Sequence, residues 1–545
     1  MVSTKNDKIK VWQPLALSMM LAIGMLFGYK MNDKDQGSLI EFVDENNEPA
    51  VVGEIEELIR FIETRYVDSV YREFLVEKAI NAVLGELDPH SVYISPEQLR
   101  AVNDEMEGTF RGIGVEIFYI DDTVNVINII EDGPAARAGI KPFDKLISIN
   151  DSIVAGRDLE FMDIRKMLRG DIGEELIIKL LDSNNEEKIA EIIIDDIPVS
   201  SVKGGVMIDD QTGYIKVDRF GSKTYSEFMD HFQRLTEKEG MKNIVIDLRE
   251  NPGGYLPQAT NILSQLFKEK GNLLVYTKGN NDRKFEYKST GKTFFPIEKV
   301  SVLIDENSAS GSEILAGAVQ DWDRGVIVGR RSFGKGLVQE QYDLSNEGAL
   351  RLTIARYYTP SGRSIQRTYE DMDSYYSDYE ERYYSGEFFS KDSIDKGESM
   401  LYETMQLKRP VFGGGGITPD IFIPIDSILF DPFYDEIINR IPQYVFKEIG
   451  DNAALMDENN IDNSAQVLFD SFIEAMETDQ NREELTELHP YISERIKSSL
   501  IRFLKSNKDV VVYELQSDPF MKASLDYFYS EGKLTDLLDV KSLKD

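Results

Sequence analysis

The chain has 545 residues, with 97 acidic against 61 basic side chains and a net charge of −36. That length allows several domains, and that charge argues against nucleic acid as a partner. There is no cysteine, so disulfide frameworks, thiolate catalysis and cysteine-ligated zinc are excluded.

At the N-terminus, Lys5, Lys8 and Lys10 precede an apolar run from Val11 to Tyr29. This charged-then-apolar order is that of an export signal, and the run is also long enough to span a bilayer. No small-x-small cleavage site precedes Met31-Asn32-Asp33. The expectation is an uncleaved anchor over 1–30, basic side inside, with the remainder exported to the periplasmic side of the inner membrane. An acidic linker (31–50) follows. From 51 to 108, apolar residues at three- and four-residue intervals predict two amphipathic helices. These close at Leu87-Asp88-Pro89-His90-Ser91. Pro89 puts His90 in a turn, where a structural role is expected.

Between 109 and 197, short β-rich runs dominate: GVEIFYI, VNVINII, KLISIN, ELIIKLL and KIAEIII. Among them lies GPAARAGIKPFDKLISIND, which resembles the PDZ signature. The resemblance implies a carboxylate-binding loop at Arg111, Gly112, Ile113, Gly114 and Val115, whose amides receive a peptide's terminal carboxylate. The peptide then adds as a strand at the sheet edge, and a helix from about Leu159 to Leu168 walls the groove. Phe143 stands where many such domains carry glycine, which is expected to alter a turn more than the fold. A module that serves only in packing or gating stays open as an alternative.

From 198 to 424, buried strands alternate with helices, the pattern of an α/β layer architecture. An apolar strand, Ile244 to Leu248, runs into Asn251-Pro252-Gly253-Gly254, a turn that leaves backbone amides bare near a helix start. Asp247 and Arg249 are expected to organise this turn by pairing. A second strand, Val300 to Ile304, hands over to a helix from about Gly311 to Asp321, followed by a strand at Val326 to Val328. Ser310 therefore sits at a helix N-terminus, where unpaired N–H groups and the helix dipole favour a developing oxyanion. Ser310-x-x-Glu313 is also a capping box, which needs no chemistry. A serine nucleophile requires a base. The three histidines, His90, His231 and His489, stand in no suggestive setting. Lys335, between Gly334 and Gly336 and beside apolar residues, can serve if burial disfavours its ammonium.

ENSASGSEILAGAVQD followed by SFGKGLVQ resembles the C-terminal processing peptidases, or tail-specific proteases, a family with a serine–lysine dyad. LDPHS and DLRENPGG are similar to further motifs of that family. The resemblance implies an α/β protease core of the ClpP/crotonase-like kind with the PDZ domain inserted. It implies Ser310 as nucleophile, Lys335 as base and Gln339 as the residue orienting that base. Gly254 and Gly311 then supply the oxyanion-hole amides. Along a straight strand Lys335 and Gln339 stand roughly 13 Å apart, so contact requires a bend, which Gly334 and Gly336 can supply. Substrates are polypeptides with free C-terminal tails, and no metal, nucleotide or organic cofactor is implied. One other class stays open: a membrane-anchored PDZ scaffold or chaperone-like tail binder with an inactive protease core. A serine–histidine peptidase of the tricorn type is disfavoured, because no histidine sits near a matching motif.

Residues 369–400 interrupt the core with tyrosines and ten acidic against three basic residues. They read as a solvated surface excursion. The C-terminal portion, 425–545, carries helical spacing over 427–450, 465–478, 493–506 and 518–539. It reads as a helical appendage for substrate handling or homodimerisation, and delivery of substrate by an adaptor protein is left open.

Overall fold

The computed structural model describes residues 52–157, 159–280, 283–394, 400–452, 457, 459–478 and 480–530. The expected membrane segment and the acidic linker lie outside these residues. Among the described residues no helix is long and apolar enough to cross a membrane. The chain divides into two compact units after Ile80. In the first, the helix Val52–Arg65 and the start of the helix Arg72–Gly85 are tied by Arg72, which pairs with Glu56 at 2.6 Å and Glu63 at 2.9 Å.

In the second unit a short ribbon of Thr109–Gly112 against Asp195–Pro198 leads the chain into and out of a β-rich module. The module's antiparallel sheet begins with β1 (Val115–Ile120), which among the described residues pairs on one side only, with Thr123–Ile129. The helix α1 (Phe161–Met167) lines a groove together with β1. Beneath them Ile117, Val124, Val126, Leu146, Ile164 and Ile178 form the module's own apolar core.

The central sheet runs β2 (Val202–Met207), β3 (Thr212–Val217), β4 (Asn243–Asp247), β5 (Lys299–Ile304), β6 (Val326–Gly329) and an edge strand, Ile421–Phe422. Every neighbouring pair except β2–β3 is parallel. Sheets of this kind need apolar cover on both faces, and the two-residue alternation supplies residues for each. Ile244, Ile246, Val300, Val302 and Ile304 meet the helices Thr224–Glu237, Leu256–Leu266 and α2 (Gly311–Asp321). Val245, Leu303 and Val328 point to the opposite face. Each such side chain contributes about 1.5–3 kcal/mol when fully buried.

A second sheet is built on the hairpin of β7 (Leu337–Asp343) and β8 (Ala349–Tyr358), and β8 also pairs with Lys270–Gly279 and Val92–Ile94. The stretch after it corrects the expectation of a solvated excursion. Residues 372–384 form the helix α3 (Met372–Tyr384), and Tyr375, Arg382, Glu387 and Phe388 are buried. Glu387 bridges Arg331 at 2.7 Å and Arg382 at 2.9 Å. The acidic composition misleads because part of the charge is neutralised by arginines inside the fold.

The C-terminal helices include α4 (Pro432–Asp451), α5 (His489–Leu504), α6 (Asn507–Ser517) and α7 (Pro519–Tyr529). They are more than an appendage. Leu515 of α6 and Phe520, Met521 and Phe528 of α7 cover the second face of the central sheet, so these two helices complete the core.

Candidate active site

Ser310 ends the turn that leaves β5, with φ +52° and ψ −109°, a region costly for a residue with a side chain. The surroundings that hold it there are polar and specific. Asn251 O accepts from Ala309 N at 3.0 Å and from Ser312 Oγ at 2.9 Å. Asp305 collects the amides of Glu250 (3.0 Å) and Ser308 (3.0 Å), tying this turn to the one that follows β4.

The expected capping residue, Glu313, has a wider role than closing a helix start. Fully buried, its carboxylate accepts from Ser310 N (2.8 Å), Ser332 Oγ (2.6 Å), Gly334 N (2.7 Å) and Lys335 N (2.8 Å). Burial pushes its carboxyl up from its usual range, against the pull of these four donors. On the far side, the Tyr357 hydroxyl faces the carbonyl oxygens of both Ser310 (3.1 Å) and Lys335. Two residues distant in sequence thus hang from the same two groups. The signal for Glu313 was present in Ser310-x-x-Glu313, but nothing local says that its second oxygen faces another loop.

The glycine turn lies directly against Ser310. A Cβ placed on Gly253 would fall 2.7 Å from Ser310 Cβ and 2.8 Å from Gly311 N, and one on Gly254 would fall 2.3 Å from Phe220 O. Gly253 N donates to Asn251 Oδ1 at 2.8 Å. The amides of Gly254 and Gly311, by contrast, have no acceptor among the described residues. Asp247 and Arg249 pair as expected, at 2.6 Å, and Arg249 also reaches Asp518 of the C-terminal helices at 2.8 Å.

Lys335 precedes β7 and sends Nζ to Gln339 Oε1 at 2.9 Å. Between the two residues the strand register is irregular, at Val338 and Gln339, while Gly334, at φ +90°, turns the chain just before Lys335 and outside that segment. Gly336 has no positive φ; its Cα is crowded by Gln366, leaving no room for a side chain. Burial lowers the Lys335 ammonium pKa from its ordinary 10.5, and the positive Arg351 adds to this.

His90, expected only to shape its turn, stands close to Lys335 and Gln339. Its carbonyl accepts from Gln339 Nε2, and its Nε2 lies 2.7 Å from the Tyr375 hydroxyl. Burial, then the charge of Lys335, push the imidazole down to about 4. The turn that carries it is pinned by Asp88, which accepts from His90 N (2.8 Å), Ser91 Oγ (2.6 Å) and Thr353 Oγ1 of β8 (3.1 Å).

In the β-rich module, Ile113, Gly114 and Val115 line a groove of about 570 Å³ together with Ile117, Phe161 and Leu168. The Ile113 and Gly114 amides have no acceptor among the described residues. Arg111 and Gly112 sit elsewhere, in the entry ribbon. The Arg111 guanidinium is taken by Asp171 (3.6 Å), Asp104 (3.8 Å) and Asp196 (4.0 Å). The strand pairing that begins at Thr109 turns this side chain away from the groove. Among the described residues no cluster of side chains could hold a metal ion.

Residues 211–374 match the model of Peptidase family S41. A carboxy-terminal-processing protease of Bartonella bacilliformis is 37% identical over 322 residues, covering 58% of this chain and 71% of that protein. The carboxy-terminal processing protease CtpB of Bacillus subtilis is 32% identical over 321 residues, covering 57% of this chain and 65% of its own. A solved photosystem II D1 C-terminal processing protease is 27% identical, covering 57% of this chain and 83% of that one, at a TM-score of 0.33. That superposition is too low to bear on the fold, and the assignment rests on the sequence matches. By these matches the chain belongs to peptidase family S41, the carboxy-terminal processing proteases.

Proposed function

We propose that this chain is a serine endopeptidase that recognises polypeptides by their C-terminal tails and cuts them with a Ser310–Lys335 dyad. The observation that carries the reading is the shared suspension of Ser310 and Lys335 from Glu313 and Tyr357, with the Lys335 ammonium disfavoured by burial. Neutral Lys335 takes the Ser310 proton as Oγ attacks the scissile carbonyl. Gln339 Oε1 holds Nζ at one point of its arc. The bare amides of Gly254 and Gly311 meet the oxyanion, where preorganised donors outperform water. Lys335 then returns the proton to the leaving amine, and water releases the acyl group by the reverse path.

Tail recognition belongs to the groove between β1 and α1, in the manner of a PDZ domain. The unpaired edge of β1 accepts a strand, and the Ile113 and Gly114 amides receive the terminal carboxylate. In this reading the run Val11–Tyr29 anchors the enzyme, with its catalytic part on the exported, periplasmic side of the inner membrane.

The test is cleavage of a disordered reporter by the full chain in mild detergent, beside Ser310→Ala and Lys335→Ala. The reporter carries either a free apolar C-terminus or an amidated one. Cleavage abolished in both variants and weakened by amidation is the expected result. Equal residual cleavage in all three proteins would sink the dyad and leave a tail-binding scaffold.

A further inference from the structure

The tyrosine-rich stretch after β8 has no place in the dyad mechanism, yet it grips the loop that carries Lys335. Arg382 donates to Arg331 O at 2.6 Å. Arg367 N donates to Gly334 O at 3.0 Å, and its guanidinium lies between the rings of Phe333 (4.2 Å) and Tyr375 (4.0 Å). An ion pair to Asp378 of α3 keeps that guanidinium in place. Residues 331–334 are therefore clamped from outside, immediately before the lysine.

The second connection runs through His90. Tyr375 is only 4% exposed, and its hydroxyl meets His90 Nε2 at 2.7 Å. The His90 ring also packs edge-on to Tyr375 (5.8 Å between centroids) and against Phe333 (6.4 Å). His90 O then takes the Gln339 amide N–H, which leaves the other end of that amide, Oε1, aimed at Lys335 Nζ. Gln339 has one acceptor and two donors on a rotatable amide. Whatever holds His90 O in position decides which end of Gln339 the lysine meets.

Resting on the dyad reading above, we infer that Tyr375 and His90 are positioning residues for Lys335, and that α3 is a built-in buttress of the catalytic base. The reach of a long lysine makes such a device useful, because small displacements of a reacting group cost large factors in rate. The groups facing Lys335 are Arg351 of β8, Glu313 of α2, and Asp88 and His90 of the turn before the module. Arg367, just before the insert, and Asp378, within it, face the same cluster. Loosening the Tyr375–His90 contact lets water in beside Nζ. Hydration favours the ammonium, so Lys335 moves back towards its ordinary value and the acid limb of the rate profile moves to higher pH.

The experiment uses the full chain, Tyr375→Phe, His90→Gln, the double variant, and Tyr384→Phe as a control. Tyr384 lies on the same helix, 83% exposed. Tyr375→Phe removes one hydroxyl and keeps the ring on Arg367, and His90→Gln keeps the backbone carbonyl. Each is expected to lower kcat about tenfold with KM nearly unchanged. Each should also shift the acid limb of kcat upward, and the double variant should lose no more than either single one. Wild-type kcat and pH profile in Tyr375→Phe, or losses that multiply in the double variant, would overturn the inference. Should Tyr375→Phe disturb folding, His90→Gln reads the same link from the other side. Failure of the dyad itself shows separately, as activity retained by Ser310→Ala.

Discussion

At the level of single residues, Ser310 occupies a backbone conformation that serine rarely adopts, and Glu313 and Asn251 hold it there. Backbone strain of this kind costs about 1–3 kcal/mol and is kept only where the surroundings over-determine it. Glu313→Gln tests those surroundings, because an amide presents only one acceptor to four donors. We expect a stability loss of about 3 kcal/mol by denaturant titration and at least a hundredfold drop in kcat. The titrations carry their own signs. Lys335 is depressed below 10.5 in the folded protein, so kcat/KM should climb with pH and level off below that value. His90 falls from 6.5 to about 4 on folding. Between those values the unfolded chain binds the extra proton, so stability declines as pH drops through that window. His90→Gln should flatten that decline in thermal melts taken from pH 7 to pH 4. An unchanged slope would place the acid sensitivity elsewhere.

Secondary-structure elements raise a different question, since the helices α6 and α7 hold none of the candidate site residues but form one layer of the core. Helix α7 was legible from its apolar spacing. Helix α6 was not, because Val510-Val511-Val512 has the look of a strand, β-branched residues being stiff in helices. Its start is nevertheless capped by Ser506 and Asp509, and the sheet face above it selects the helix. Phe520 marks how much that layer matters. It is 7% exposed, packs against the second face of the sheet, and has the guanidinium of Arg249 over its ring at 4.6 Å. Phe520→Ala should cost about 3–5 kcal/mol and lower Tm accordingly. A loss under 1 kcal/mol would show that the layer is dispensable. The insert teaches the converse. Tyrosines and acids without a period look solvated, and ion pairs with Arg331 and Arg367 from outside and with its own Arg382 turn the stretch inward.

For the molecule as a whole, Phe143 shows how the β-rich module is joined to the C-terminal helices. The expectation that it alters its turn is corrected: the residue keeps φ +72°, a glycine-like conformation, and carries a ring all the same. That ring stacks on Phe446 of α4 at 4.6 Å and 5°, while Phe118 and Phe503 meet Phe446 edge-on. Two ion pairs, Arg502 with Glu116 of β1 and Lys447 with Asp121, flank the contact. Phe143→Gly relieves the backbone and removes the ring. Amide exchange should then quicken in β1 and at the facing ends of α4 and α5, with the central sheet unchanged.

Some of this was settled by the sequence alone. Ser310, Lys335 and Gly254 lie in short stretches whose strand-to-helix turns and glycines are local properties, so they could be singled out as candidates without a fold. Paired Asp247 and Arg249, two residues apart, were legible for the same reason. What the tertiary structure decided are the contacts between segments far apart in the chain. Both oxygens of Glu313 accept from the Lys335 loop, and His90 stands beside Lys335, 245 positions further on. Arg111 turns to three aspartates rather than to the groove, and the last helices close the sheet. Such pairings depend on which buried charges and apolar faces find cover. A linear pattern supplies the groups but not the partners, because burial is a property of the folded whole.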